Sequence, residues 1–153
     1  MENGETKYED IVRELAPCGL NCRKCMGFEE GDIRATSLHL QQLLGAFDGY
    51  AERFSAFLPV FKNYPAFKEL LAHLTQGDCR GCRAGDCKFP NCGILACSQV
   101  KGVDFCGQCD EFPCDKPGFD ANLRKRWIKM NTRIKEVGPE AYYEETKDSP
   151  RYL

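Results

Sequence analysis

Cysteines are the residues of this chain whose type and spacing point to chemistry: 11 of its 153 residues are cysteine. One pattern, Cys-x-x-Cys-x4-Cys, occurs twice, first at Cys79, Cys82 and Cys87 and again at Cys106, Cys109 and Cys114. Two cysteines separated by two residues lie on one tight turn, so both thiolates can reach the same metal ion. The repeated pattern therefore predicts metal binding.

A third cysteine group lies near the amino terminus, at Cys18, Cys22 and Cys25. Its spacing places the three thiols on one face of a helix, or on a knuckle-like turn that begins at Gly19. The group has no fourth ligand nearby in the sequence. Either a distant residue such as Cys92, Cys97 or His73 completes it, or one position is open to water or a substrate.

The cysteines can be divided among four-ligand sites in more than one way, and we expect all eleven to be ligands. Division by sequence proximity gives one site of Cys79, Cys82, Cys87 and Cys92 and a second of Cys97, Cys106, Cys109 and Cys114. An interleaved division gives a ribbon-like site of Cys79, Cys82, Cys106 and Cys109. The sequence does not choose between these divisions.

Zinc is the metal that the spacing and ligand type favour, with an iron–sulfur cluster as the alternative. The Cys18–Cys25 spacing matches the cluster-binding triplet of radical-SAM enzymes, but Lys24 stands where those enzymes usually carry an aromatic residue, and the chain is too short for their barrel. Of the two histidines, we expect His39 to be exposed. His73 is a possible fourth ligand, although a structural position is favoured for it.

Three glycines beside the cysteines, Gly81, Gly93 and Gly107, are expected to adopt positive φ and to direct their N–H groups toward bound sulfurs.

Charge and the amino-terminal sequence limit the possible partners and location. The net charge of −2 and a pI near 5.8 argue against a nucleic-acid surface. The basic residues between Arg124 and Lys135 are expected to form the solvated face of an amphipathic helix. The amino-terminal sequence is polar, and no run of roughly 18–20 apolar residues occurs anywhere in the chain. These two features predict a cytoplasmic protein without a membrane span. Disulfides are not expected in that reducing compartment.

The chain is expected to be one mainly α domain, in which a helical block adjoins a loop-rich, metal-stapled cysteine segment with little or no regular sheet. Its parts are residues 1–30 with the amino-terminal triplet, a helical block at 31–76, the cysteine-rich segment at 77–116, and C-terminal helices at 117–153.

Apolar spacing and end signals predict the individual helices. One precedes Pro17, one ends near Gly45, one is capped by Asp48 and interrupted by Pro59, and one begins at Pro65 and stops at Gly77. A short helix follows Cys92, and two more lie on either side of Gly138. We expect the phenylalanines of the block to fill a helical core and Trp127 to be buried against them.

Several cysteine motifs together resemble a known family. These are Ala16-Pro-Cys-Gly-Leu-Asn-Cys22-x2-Cys25, Cys79-x-Gly-Cys82, Cys92-Gly-Ile-Leu-Ala-Cys97 and Cys106-x2-Cys109-x2-Phe-Pro-Cys114. They are similar to domain-of-unknown-function family 3795, short cysteine-rich proteins of bacteria and archaea. The resemblance implies an intracellular metal-binding protein, with zinc as the favoured metal. It assigns no catalytic residue to this chain.

We therefore expect a non-enzymatic binding or interaction protein with structural zinc sites. The partner is a protein of unspecified identity, nucleic acid is not expected, and the oligomeric state is left open. The alternatives are an iron–sulfur redox or electron-transfer module and an enzyme that uses the amino-terminal triplet as an open zinc site.

Overall fold

The computed structural model describes residues 6–85, 88–89 and 91–152. Across these residues the regular structure is helical, and the β structure is one isolated antiparallel bridge between Leu15 and Asn21. This confirms the mainly α fold. The α-helices are α1 (Tyr8–Glu14), α2 (Asp32–Leu44), α3 (Asp48–Phe54), α4 (Tyr64–Leu74), α5 (Ile94–Lys101), α6 (Ala121–Val137) and α7 (Pro139–Thr146). Short 3₁₀ turns lie at Cys22–Lys24, Pro59–Asn63, Cys82–Ala84 and Cys106–Gln108.

The described residues form two compact units. The first unit comprises the chain up to Arg23 and from Cys79 onward, and the second comprises Lys24–Asp78. In the part of the chain that the structure covers, no helix is both long enough and apolar enough to cross a membrane.

Helix α6 organises the first unit because it packs against both α7 and the Cys106–Gln108 turn, while α1 packs against α7. The core of this unit has an aliphatic and aromatic part made of Ile11, Leu15, Phe105, Ile134, Tyr142 and Tyr143. A second part, made of Ile94, Phe112 and Trp127, lies against cysteine side chains. The thiols thus adjoin a packed core.

Trp127 is buried as expected, with 1% of its surface exposed, but its partners differ from those expected. Its ring meets Phe112 edge-on at 5.0 Å and Phe119 at 6.1 Å between centroids. Phe112 lies within the cysteine-rich segment and Phe119 follows it, whereas the expected partners belong to the second unit. The apolar stripe of α6 was identified correctly, but a stripe does not specify what covers it.

Helices α2 and α4 pack together in the second unit, and Phe28, Ala51, Tyr64 and Leu71 are its buried apolar residues. Pro65 lies in the first turn of α4, as predicted. The chain after α3 forms the 3₁₀ turn at Pro59–Asn63, because proline cannot donate the N–H that would continue an α-helix.

Two helix-end predictions in this unit were wrong. Phe47 and not Asp48 is the N-cap of α3, and the Asp48 carboxylate binds Lys68 Nζ at 2.7 Å. Helix α4 ends at Leu74 rather than at Gly77. Gly77 is instead required sterically, since a Cβ there would lie 2.9 Å from the Phe28 carbonyl oxygen.

The phenylalanines of the second unit do not all fill a core. Phe28 is buried, but Phe57 is 67% and Phe67 is 42% exposed. The rings pack mainly against one another, with centroid distances of 5.7 Å for Phe54–Phe57 and for Phe54–Phe61. An isolated helical block of this size has too little interior to enclose so many large rings.

Candidate functional site

Four thiols from separate parts of the sequence line one small cavity in the first unit. Helix α5 carries Cys97, the 3₁₀ turn at Cys106–Gln108 carries Cys106, and the following loop carries Cys109 and Cys114. The cavity has a volume of about 30 Å³. We call it the four-thiol pocket. It contains the four cysteines that the division by sequence proximity assigned to one site.

Apolar side chains close the wall behind these thiols: Ile94, Phe112 and Trp127. Each of the three is at most 8% exposed. Burial raises the pKa of the Cys106 thiol to about 11, the nearby indole N–H of Trp127 lowers it, and the nearby thiols of Cys114, Cys97 and Cys109 raise it again. The protein therefore disfavours a free thiolate at this position unless a positive charge compensates it.

The indole N–H of Trp127 faces this pocket. Its Nε1 is buried and has no hydrogen-bond partner among the described residues. It nevertheless lies close enough to the Cys106 sulfur to lower the pKa of that thiol. A buried N–H normally has a partner, and a thiolate at Cys106 would supply a strong acceptor.

Two lysines line the edge of this pocket, Lys101 and Lys116, and both bind Glu111. Lys116 Nζ binds Glu111 Oε2 at 3.1 Å, and this contact raises the lysine's pKa, with a further contribution from the Cys97 and Cys114 thiols. Negative charge on those thiols is thus partly balanced by Lys116.

A second group of thiols, which we call the Cys18 group, consists of Cys18, Cys22 and Cys82. Burial raises the pKa of Cys18 to about 12, a hydrogen bond with the Leu20 backbone lowers it, and the neighbouring thiols of Cys82, Cys22 and Cys106 raise it further. The sequence suggested Cys92, Cys97 or His73 as a partner for the amino-terminal cysteines. The structure instead places Cys82 beside Cys18.

The other predicted ligands have different surroundings. Cys92 packs against the core around Ile94 and Trp127. Cys79 Sγ accepts a hydrogen bond from the Gly81 N–H at 3.4 Å. Cys25 belongs to the second unit, and Cys87 lies outside the described residues.

The two histidines both lie in the second unit, where His39 is exposed as expected and His73 is exposed near the end of α4.

Only one of the three glycines behaves as expected. Gly81 has φ of +93° and donates its N–H to a sulfur. Gly93 has φ of −88°, and the Gly107 N–H donates to the side-chain oxygen of Asn131 at 2.9 Å rather than to a thiol. Gly107 is needed for a close approach to α6, which the cysteine spacing alone does not reveal.

Asn131 connects the two thiol groups and was missed by the sequence analysis. It is completely buried in α6. Its Nδ2 donates to the Cys18 carbonyl at 2.7 Å, while its Oδ1 accepts from the Gly107 N–H. The available signal was an asparagine on the apolar stripe between Trp127 and Ile134, because a polar residue at a buried position usually makes specific hydrogen bonds.

Arg83, directly after Cys82, is a second residue that the sequence did not indicate. Its guanidinium donates to the carbonyls of Val12 at 2.8 Å, Leu15 at 3.2 Å and Asp104 at 2.8 Å. It also lies 5.3 Å from the Phe105 ring centroid. Three carbonyls around one planar cation fix the position of the Cys82–Ala84 turn.

The donor set suits a soft metal ion, but the side-chain positions do not form a completed site. The ten described cysteines are all free. Within residues 6–85, 88–89 and 91–152, no three His, Cys, Asp or Glu side chains are arranged so that they could hold a metal ion. The structure thus shows thiols gathered around a pocket and a buried indole N–H directed at one of them.

Comparison with known proteins agrees with the cysteine pattern. No curated protein and no solved structure matches the chain. The sequence model of one family, "Protein of unknown function (DUF3795)", matches residues 14–118, a span that includes every cysteine of both thiol groups. Because this match covers more than half of the sequence, the chain belongs to the DUF3795 family.

Proposed function

We propose that this protein binds zinc through the thiolates of the four-thiol pocket and that the ion holds the cysteine-rich loops in place. One observation carries the proposal: Cys97, Cys106, Cys109 and Cys114 line a single cavity, although they come from a helix, a 3₁₀ turn and a loop. Four thiolates are a common ligand set of structural zinc sites.

The size of the pocket supports a single ion. A cavity of about 30 Å³ offers room for one small ion among the sulfurs. A cubane cluster contains four irons and four sulfides and needs more space. Zinc also requires no redox partner, which suits a site that holds loops together.

The residues around the pocket favour a bound cation. A divalent ion would supply the positive charge that the buried thiols lack, and it would thereby lower their pKa values. The Trp127 N–H and the Lys116 ammonium group would stabilise the remaining negative charge on the sulfurs.

We propose a binding or interaction role in the cytoplasm for the zinc-bound protein, with a protein partner, rather than an enzymatic one. Burial raises the pKa values of Cys18 and Cys106 to about 12 and about 11, respectively. Without metal, thiols with such raised pKa values are poor nucleophiles at neutral pH, and in the proposed zinc-bound protein Cys106 serves as a ligand rather than as a nucleophile.

One observation favours the iron–sulfur alternative. Cys18 lies near both the other thiols of its own group and Cys106 of the four-thiol pocket, so the two thiol groups adjoin. In two-cluster ferredoxins, neighbouring cysteines of one motif serve different clusters. The alternative is a redox module with two adjacent clusters.

Metal analysis of protein purified without oxygen distinguishes these functions. We expect zinc and no sulfide, and we expect Cys109→Ser to lose one zinc equivalent per chain relative to the parent protein and to His39→Ala. Removing zinc with a strong chelator should lower the melting temperature and shift Trp127 fluorescence to longer wavelength, because binding free energy contributes to folding.

Two results would contradict the zinc proposal. Stoichiometric iron and sulfide with absorption at about 400 nm would establish the iron–sulfur alternative. A full zinc content in Cys109→Ser would show that the four-thiol pocket is not the site.

A further inference from the structure

A groove in the first unit is much larger than the four-thiol pocket. It lies along α6 and α7 and reaches the turn at Gly19–Asn21 and the segment Ser149–Arg151. Its volume is about 780 Å³. Small-molecule sites typically have about 300–1,000 Å³, so the groove has the size of a metabolite site.

The groove is lined by an excess of positive charge in a chain whose net charge is −2. Its two carboxylates belong to Glu136 and Glu145, and both bind the same arginine, Arg133. The Arg133 guanidinium contacts Glu145 at 2.5 and 2.9 Å and Glu136 at 3.2 Å. Four lining cations have no carboxylate partner among the described residues: Lys125, Arg126, Lys129 and Arg151.

The two arginines are held in place by backbone carbonyls. Arg151 Nη1 donates to the Asn21 carbonyl at 2.9 Å, and Arg126 Nη2 donates to the Arg151 carbonyl. Each guanidinium carries five N–H donors, so most of them remain available to a ligand. These contacts preorganise two planar cations along the groove.

Asn21 gives an independent sign of a missing hydrogen-bond partner. It borders the groove, and both its Nδ2 and its Oδ1 are buried without a partner in the part of the chain that the structure describes. Buried side-chain amides are normally hydrogen-bonded, to water or a ligand where the protein supplies no partner.

We propose that this groove binds a small organic molecule that carries a phosphate group. Four uncompensated cations suit a ligand with at least two negative charges, and arginine forks match phosphate oxygens in pairs. The concave shape favours a small ligand over an extended nucleic-acid strand. The site is separate from the proposed zinc site and does not depend on it.

The test is an NMR titration of the ¹⁵N-labelled, zinc-containing protein with phenyl phosphate, with phenol as the uncharged probe of the same ring. We expect saturable shifts of the Asn21 side-chain amide and of α6 amides near Lys125 and Lys129 with phenyl phosphate, and none with phenol. The double variant Lys125→Gln/Lys129→Gln should weaken binding by about tenfold or more, because each lysine contributes a charged hydrogen bond.

Lys135→Gln is the matched control, since Lys135 lies on the same helix outside the groove. It should bind phenyl phosphate as the parent protein does. Equal weakening in the control and the double variant, or shifts that avoid Asn21 and α6, would overturn the proposal. Binding of a single-stranded oligonucleotide with an affinity that rises with its length would also overturn the proposal, because that result indicates an extended nucleic-acid surface. Zinc content per chain, measured in parallel, separates a failure here from a failure of the zinc proposal.

Discussion

Gly107 allows the Cys106–Gln108 turn to approach α6 more closely than any other residue could. A Cβ at this position would lie 2.5 Å from the Asn131 carbonyl oxygen and 3.0 Å from the Ile134 side chain. Both contacts belong to a buried part of α6, so neither can move aside at low cost. The same approach brings the Gly107 N–H to Asn131 Oδ1.

Replacing Gly107 with alanine should therefore lower the free energy of unfolding by about 1–3 kcal/mol, the usual cost of forcing a methyl group into a packed site. Urea denaturation at a fixed zinc concentration measures the change. The control is Gly93→Ala, because a Cβ there meets its nearest neighbour, the Lys116 carbonyl oxygen, at 3.8 Å. Equal effects of the two substitutions would show that the close approach is not what makes Gly107 necessary.

Helix α6 is the element on which the first unit depends, and its start is defined by a side chain. The Asp120 carboxylate accepts hydrogen bonds from the N–H groups of Asn122 at 2.9 Å and Leu123 at 3.0 Å. These donors would otherwise be unsatisfied, and the negative charge also interacts favourably with the helix amino terminus. The cap fixes where α6 begins, and the helix buries Trp127, Asn131 and Ile134.

Asp120→Ala should cost about 1 kcal/mol of stability because two N–H groups lose their partner. Asp120→Asn should restore most of that loss, since its side-chain oxygen can accept the same bonds. The measurement is the midpoint and slope of urea unfolding followed by Trp127 fluorescence. A loss with asparagine as large as with alanine would contradict the capping role.

For the molecule as a whole, a buried phenol couples stability to alkaline pH. Tyr143 of α7 donates its hydroxyl to the Glu14 carboxylate of α1, which also binds Arg23 at 3.2 Å. Burial, followed by the hydrogen bond with Glu14, raises the pKa of Tyr143 to about 12. The folded state thus keeps this proton at a pH where the unfolded chain, with a pKa near 10, has released it.

The sign of the pH dependence follows from this difference. Because the folded state binds more protons between pH values of about 10 and 12, the free energy of unfolding should fall as pH rises through that range, by up to about 2–3 kcal/mol. Below a pH of about 10 the contribution is fully present. Tyr143→Phe should remove this part of the slope, whereas Tyr50→Phe, which alters an exposed ring, should not. Urea unfolding at several alkaline pH values is the measurement, and identical slopes in the parent protein and Tyr143→Phe would refute the assignment.

The sequence by itself determined most of the helices and the family. Apolar periodicity, prolines and glycines are local signals, and they located α1, α2, α4, α5, α6 and α7 to within a few residues. Division by sequence proximity also groups Cys97, Cys106, Cys109 and Cys114, which line one cavity, but the sequence left the interleaved division equally open. The ordered cysteine motifs also identified the family.

Only the tertiary structure decided which distant residues meet. Cys82 lies beside Cys18, and Asn131 bonds to the Cys18 carbonyl, because α6 brings together segments that are far apart in sequence. The positive groove has the same origin, since its cations come from α6 and from Arg151 near the carboxyl terminus. Spacing describes which residues share a turn or a helix face, whereas the partner of that face is selected by packing and hydrogen bonding over the whole unit.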